Sequence, residues 1–230
     1  MNNIKESHIL FEDNHLLIYN KEAGTPVQGD KSGDKSLLDL LKSYIKDRDN
    51  KPGNVFLGLI HRVDRPVSGA VMFAKTSKAL TRMTNAFKER SVEKLYWALV
   101  EGEFTKETIS AEDYLLKNPK QNKSYVVSKD KSGAKLARLE YRGLVKLDRY
   151  SLVEVKLHTG RHHQIRCQLS TNGNIIKGDV KYGAKRPNKD ASIDLHARFL
   201  NFEHPTTKEK IQVEAPVPNW PIWKAAEKEV

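Results

Sequence analysis

At 230 residues the chain is long enough to bury a full core, and 38% hydrophobic content with three Trp, eight Tyr and seven Phe excludes a disordered tail protein. The 40 Lys plus Arg against 29 Asp plus Glu, net +11, draw polyanions to the surface, nucleic acid first among them, although membrane-surface proteins share that balance. A lone Cys167 excludes an intrachain disulfide and a cysteine-built metal site, no apolar run is long enough to cross a bilayer, and a soluble cytoplasmic monomer is expected.

In chain order, His8 to Asn20 reads as two short strands around a polar turn at Glu12-Asp13-Asn14. After a loop rich in Gly and Asp, Ser36-x-x-Asp39 opens Leu37, Leu38, Leu40, Leu41, Tyr44 and Ile45, an N-cap followed by apolar residues at helical spacing. Asn54 to Ile60 and Ala70 to Ala74 are apolar runs of strand length, so the polar loop 61–69 is expected to join two buried strands. Thr76 or Ser77 caps a helix carrying Ala79, Leu80, Met83, Ala86 and Phe87 on one face, and Lys94 to Val100 alternates as a strand.

Beyond residue 100, Ala137 to Tyr141 and Ser151 to Leu157 alternate in period two, as antiparallel strands with one wet face do. Asn118 to Ala134, rich in lysine, reads as a mobile basic excursion. No internal repeat and no Pro- or Gly-rich linker divides the chain. The expected architecture is α+β, one domain over residues 1–230 with a large mixed, mostly antiparallel sheet flanked by helices and loops, residues 1–7 and 225–230 being peripheral.

Two charged clusters stand out. His61-Arg62-Val63-Asp64-Arg65-Pro66-Val67-Ser68-Gly69 places a carboxylate and two guanidiniums between apolar runs; alone, it reads more simply as a structural ion pair than as a functional site. Thr159 to Ser170 contains Arg161, His162, His163, Gln164 and Arg166 and turns into a short helix. On such a helix Arg166 points inward while Arg161 stays free for phosphate; the bland alternative is a solvated helix face.

The first cluster resembles the H-R-L-D-R-x-T-S-G element of the RluA-type RNA pseudouridine synthases, and Gly160-Arg161-His162-His163-Gln164-Ile165-Arg166 resembles their G-R-T-H-Q-I-R element. Further matches are Asn20-Lys21-Glu22-Ala23-Gly24, Lys94-Leu95-Tyr96-Trp97-Ala98, Gly178-Asp179-x-x-Tyr182-Gly183, and Leu195-His196-Ala197 with His204-Pro205, so the resemblance spans most of the chain. Val63 departs from the family Leu, Val67 and His162 from Thr, and Glu22 from Pro; none is a charged catalytic position, though His162 sits where substrate preference is open to change.

The resemblance implies the pseudouridine synthase fold and an isomerase acting on structured rRNA or tRNA stem-loops, with no cofactor and no metal. Asp64 would be the catalytic carboxylate, Arg166 its ion-pair partner, and Tyr96 the ring lying against the target base. Arg62 would fill the gap left by the flipped nucleotide, and Arg65, Arg161, His163 and Gln164 would bind substrate RNA. By their charge, Lys75 and the basic stretch Lys117 to Lys135 are further candidates for phosphate contacts, although any one of these lysines reads more simply as a solvated charge. Leu195 would wall the pocket. No segment ahead of residue 8 has room for the S4-type RNA-binding domain of many relatives, so the catalytic domain is expected to grip RNA itself.

Competing readings are a catalytically silent RNA-binding or assembly protein on the same fold, and a hydrolase using Asp64 with His61. Tyr96 alone is an ordinary inward strand residue, Cys167 a buried helix cysteine, and His158, His162 and His163 lack metal-ligand spacing.

Overall fold

The structure, a computed structural model, describes residues 4–29, 33–102 and 105–230. Eleven strands and four α-helices among these make an α+β fold built on a large sheet, the class expected. The opening meander is β1 (Ile9–Glu12) and β2 (Leu16–Lys21), with Asp13 Oδ1 accepting from the backbone amides of His15 and Leu16 to form the turn. Helix α1 (Leu37–Arg48) starts where Ser36 Oγ accepts from the Asp39 amide at 3.2 Å.

Strand β3 is only Gly58–Leu59, shorter than the run from Asn54 suggested. It pairs with Ala74 and Phe73 at the C-terminal end of β4 (Ser68–Ala74); in that antiparallel register Asn54 to Leu57 run past Ala74, where β4 has ended, so they find no ladder and Phe56 is exposed. Thr76 caps α2 (Ser77–Glu89) through the Ala79 amide, and Arg90 closes it in the left-handed region. Then follow β5 (Glu93–Val100), β6 (Ile109–Asn118), β7 (Lys123–Val127), β8 (Lys135–Lys146), β9 (Ser151–Leu157), α3 (Gln164–Thr171), β10 (Leu195–Glu203), β11 (Lys210–Glu214) and α4 (Pro221–Lys228).

The chain forms two compact units, residues 1–92 with 197–216, and residues 93–196 with 217–230. In the first, β1, β2 and β4 pair antiparallel in sequence, and β11 pairs antiparallel with β10. Leu16, Ile18, Met72, Met83, Leu200 and Phe202 fill its core, because alternating strand residues meet the apolar face of α2. In the second, the order is β5-β9-β8-β6-β7, antiparallel throughout, with a bulge between Gly143 and Val145.

The segment expected to be a mobile excursion is instead β7 and its turns. Its ladder to β6 runs from Tyr114↔Val127 to Asn118↔Lys123, and the turn is held by Asn118 Oδ1 accepting from the amides of Lys120 and Gln121. Of the expected peripheral ends, residues 1–3 lie outside the described residues, Lys5 donates its amide to the Tyr19 hydroxyl, and Ala226 is buried within α4. No helix among the described residues is long and apolar enough to cross a membrane.

Candidate active site

The first unit holds the loop of Asp64. Strand β2 ends at Lys21, 1% exposed, whose Nζ donates to the carbonyls of Glu22 (3.0 Å), Thr25 (3.0 Å) and Arg65 (3.1 Å). Gly24 donates its amide to the Arg65 carbonyl at 2.8 Å, and Arg65 Nε returns a bond of 2.8 Å to the Gly24 carbonyl. The Val67 amide closes the turn onto the Asp64 carbonyl at 3.0 Å. The Asn20 to Gly24 segment, matched by sequence but given no role there, is therefore the brace that fixes the backbone around the half-buried Asp64.

Burial drives the Lys21 ammonium down to about 7, against the opposing pull of the Asp64 carboxylate and with the help of the Arg65 charge. Arg62 stands exposed beside Asp64 in the chain. Arg65 is occupied twice over, by Gly24 and by Asp34 at 2.5 Å, so it serves first as a loop clamp. His61 Nε2 accepts the Met72 amide at 3.0 Å and its ring stacks on Phe87 at 4.7 Å. That ring nitrogen is engaged in holding β4, which removes the base on which the hydrolase reading relied.

The second unit holds the other sequence-predicted residues. Arg161 and His162 precede α3 and are not part of the helix on which they were expected, because His163 adopts φ 52° and the helix begins at Gln164. The Gln164 side chain is spent on this turn: its Oε1 accepts from Thr159 Oγ1 (2.7 Å) and the Arg161 amide (3.0 Å), and its Nε2 donates to the Arg138 carbonyl (3.0 Å). Arg161 Nε donates to the Leu136 carbonyl at 2.8 Å. Six of the eight helical residues are buried, so α3 is not a solvated face.

Arg166 is among them, and its partner within this unit is Asp179: Nε to Oδ2 at 2.7 Å and Nη2 to Oδ1 at 2.8 Å. The Tyr182 ring lies 5.1 Å from the guanidinium carbon. The Tyr182 hydroxyl accepts the Ser124 amide at 2.8 Å and lies 3.1 Å from His163 Nδ1. Burial, then the Arg166 charge, pushes His163 down to about 2, so this imidazole stays neutral. Cys167 donates to the Ser124 carbonyl and burial lifts its thiol to about 11, which fits a packing cysteine and not a nucleophile.

Tyr96 is 8% exposed and sits opposite Val155 in the β5–β9 ladder, and Leu195 is buried at the start of β10. Sequence reasoning gave no role to Lys21, Ser124, Asp179 or Tyr182. Three of them lie in segments matched to the family, which was the available signal; Ser124 had none.

A family model described as RNA pseudouridylate synthase matches residues 15–171. The chain is 34% identical over 218 residues to the ribosomal large subunit pseudouridine synthase C of Vibrio cholerae, covering 92% of this chain and 66% of that one. It is 32% identical to the uncharacterized RNA pseudouridine synthase YlyB of Bacillus subtilis, covering 91% of this chain and 69% of that protein. Among solved structures it is similar to human RNA pseudouridylate synthase domain containing 4, with TM-score 0.79 and 22% identity over 97% of this chain and 92% of the other, a likeness of fold.

Proposed function

Because the chain belongs to the RNA pseudouridylate synthase family, we propose that it isomerises uridine in RNA to pseudouridine, with Asp64 as the reacting carboxylate. Substrate and product are isomers, so the reaction balances without a donor: the C1′–N1 bond breaks, the uracil turns in the pocket, C5 bonds to C1′, and the C5 proton leaves as N1 gains one. A carboxylate at the sugar meets the chemical need by one of two routes, attack on C1′ or removal of the C2′ proton.

The observation that carries the reading is the mounting of Asp64. Its loop is held at both backbone and side-chain level by Lys21, Gly24 and Arg65, which is the preorganisation a reacting group requires. In this reading Arg166, oriented by Asp179, supplies positive charge, Tyr96 lies against the base, Leu195 walls the pocket and Arg62 fills the gap in the RNA. The relatives' name, ribosomal large subunit pseudouridine synthase, favours rRNA over tRNA as substrate. A monomer acting in the cytoplasm is part of the same proposal.

The test is tritium release from RNA labelled at uracil C5, with ribosomal RNA and tRNA as separate substrates. Wild type is expected to release tritium, and Asp64→Asn, folded, to release none. Equal release by both proteins sinks the reading.

A further inference from the structure

The β6–β7 hairpin has features that packing alone does not require. Residues 117–135 contain six lysines and one acid, Asp130. Several lysines elsewhere pair with carboxylates, as Lys5, Lys75, Lys156 and Lys177 do. Among the described residues Lys117, Lys120, Lys123 and Lys181 have none: Lys181 Nζ donates to the Gln121 and Asn122 carbonyls, and Lys123 Nζ lies 5.3 Å from the Tyr125 ring centre and 4.9 Å from that of Tyr182. Unneutralised ammonium groups gathered on one hairpin repel each other and are retained most readily where an anion visits.

Apolar surface is exposed at the same place. Of the six large hydrophobic residues exposed among the described residues, Tyr125, Val126 and Val180 lie on β7 and beside Lys181. The Tyr125 hydroxyl donates to Gln121 Oε1 at 2.6 Å, which fixes the ring while leaving it 39% exposed. A fixed, open aromatic ring among lysines is how proteins receive unpaired nucleotides, the ring taking a base and the cations the phosphates.

The hairpin is also rigidly mounted. Ser124, 2% exposed, donates its amide to Tyr182, donates Oγ–H to the His162 carbonyl at 2.7 Å, and accepts at its carbonyl from Cys167. His162, the departure from the family Thr, places Nδ1 2.9 Å from Ser124 Oγ and Nε2 3.1 Å from Asn122 Oδ1. The tip is therefore tied to the turn that leads into α3 and Arg166, so little ordering entropy is lost when RNA arrives.

We propose that the β6–β7 hairpin, with Lys181, is a platform for an unpaired stretch of substrate RNA: Tyr125 stacks on one base, and Lys117, Lys120, Lys123 and Lys181 meet the flanking phosphates. The proposal rests on the reading of the chain as an RNA-modifying enzyme and adds where its RNA is gripped.

Fluorescence anisotropy with a 5′-fluorescein RNA stem-loop, and with a blunt fully paired RNA, tests it across a salt series. Tyr125→Ala is expected to weaken stem-loop binding roughly 5- to 150-fold with an unchanged salt slope, Tyr125→Phe to restore it, and the blunt duplex to be indifferent to both. Lys117→Ala/Lys120→Ala/Lys181→Ala should reduce the slope of log affinity against log salt by about 0.7 for each phosphate that is no longer neutralised. Wild-type affinity and slope in both variants, or an equal loss for duplex and stem-loop on Tyr125→Ala, overturn the platform. Tritium release by the same wild-type preparation separates the two claims: release without hairpin-dependent binding defeats the platform alone, and hairpin-dependent binding without release defeats the isomerase alone.

Discussion

Asp179 holds Arg166 by two guanidinium nitrogens, Nε at 2.7 Å and Nη2 at 2.8 Å, with the two side chains 1% and 5% exposed. One edge of the fork is thereby fixed to the turn after α3, which sets the direction in which the other edge points. A lysine cannot reproduce a two-pronged grip. Asp179→Ala should lower unfolding stability by about 3–5 kcal/mol, since it removes one partner of a buried two-pronged ion pair. Arg166→Lys should keep the fold and lower kcat about a hundredfold, read by tritium release at saturating RNA. Retention of wild-type kcat by Arg166→Lys would separate the pair from the chemistry.

Gly69, the second residue of β4, lies opposite Lys21 with φ +113°, and a Cβ there would fall on the backbone nitrogen and oxygen of Ala197. Neither atom can move without moving β10. Gly69→Ala is expected to cost more than about 2 kcal/mol in urea unfolding. Gly29→Ala, with open space and no positive φ, is the matched control and should be near neutral.

His163 is held neutral at about 2 in the folded chain, while its unfolded counterpart takes a proton near 6.5. The folded state therefore binds fewer protons below pH 6.5, and the stability contributed by the neutral ring is full above that pH and lost as pH falls from 6.5 toward 2. His163→Asn should flatten this slope: between pH 7.5 and 5, wild type loses stability relative to the variant by up to about 1 kcal/mol per pH unit below 6.5. Parallel pH profiles for the two proteins would show that the ring titrates in the folded chain as it does in the unfolded one.

What was legible in the sequence was local. Ser36 and Thr76 announce their helices because an N-cap bonds an amide three residues on, and β2 and β4 because their apolar runs are continuous. The hairpin was not legible, since β7 buries only Ser124 and leaves Tyr125 and Val126 exposed, which breaks the period-two signal, and it is secured by Ser124 to Tyr182, 58 residues away. The same limit hid Asp179: both members of its pair with Arg166 stood in matched segments, but only the path of the chain after α3 brings them together. Gln164 shows the converse, a residue assigned to RNA by resemblance whose polar atoms are consumed by Thr159, Arg161 and Arg138.

Lys21 joins these themes, because its identity was visible in the matched Asn20 to Gly24 segment while its environment was not. Three carbonyls surround Nζ, a match for the three N–H bonds of an ammonium, whereas burial opposes the charge and brings its pKa down to about 7. The unfolded lysine keeps its proton to about 10.4. Between these values the unfolded state binds more protons, so stability rises with pH across that window; the penalty for a buried charge is complete below pH 7 and relieved above it. Lys21→Met removes the titration and orphans the three carbonyls, so it should be less stable than wild type at pH 9. The gap should narrow toward pH 7 by up to about 1 kcal/mol per unit, measured by urea unfolding of both proteins at each pH. A gap of constant size across that range would mean that the folded lysine titrates as it does in the unfolded chain. The Arg65 carbonyl would then be held by an ordinary ammonium, and the brace beneath Asp64 would be insensitive to pH.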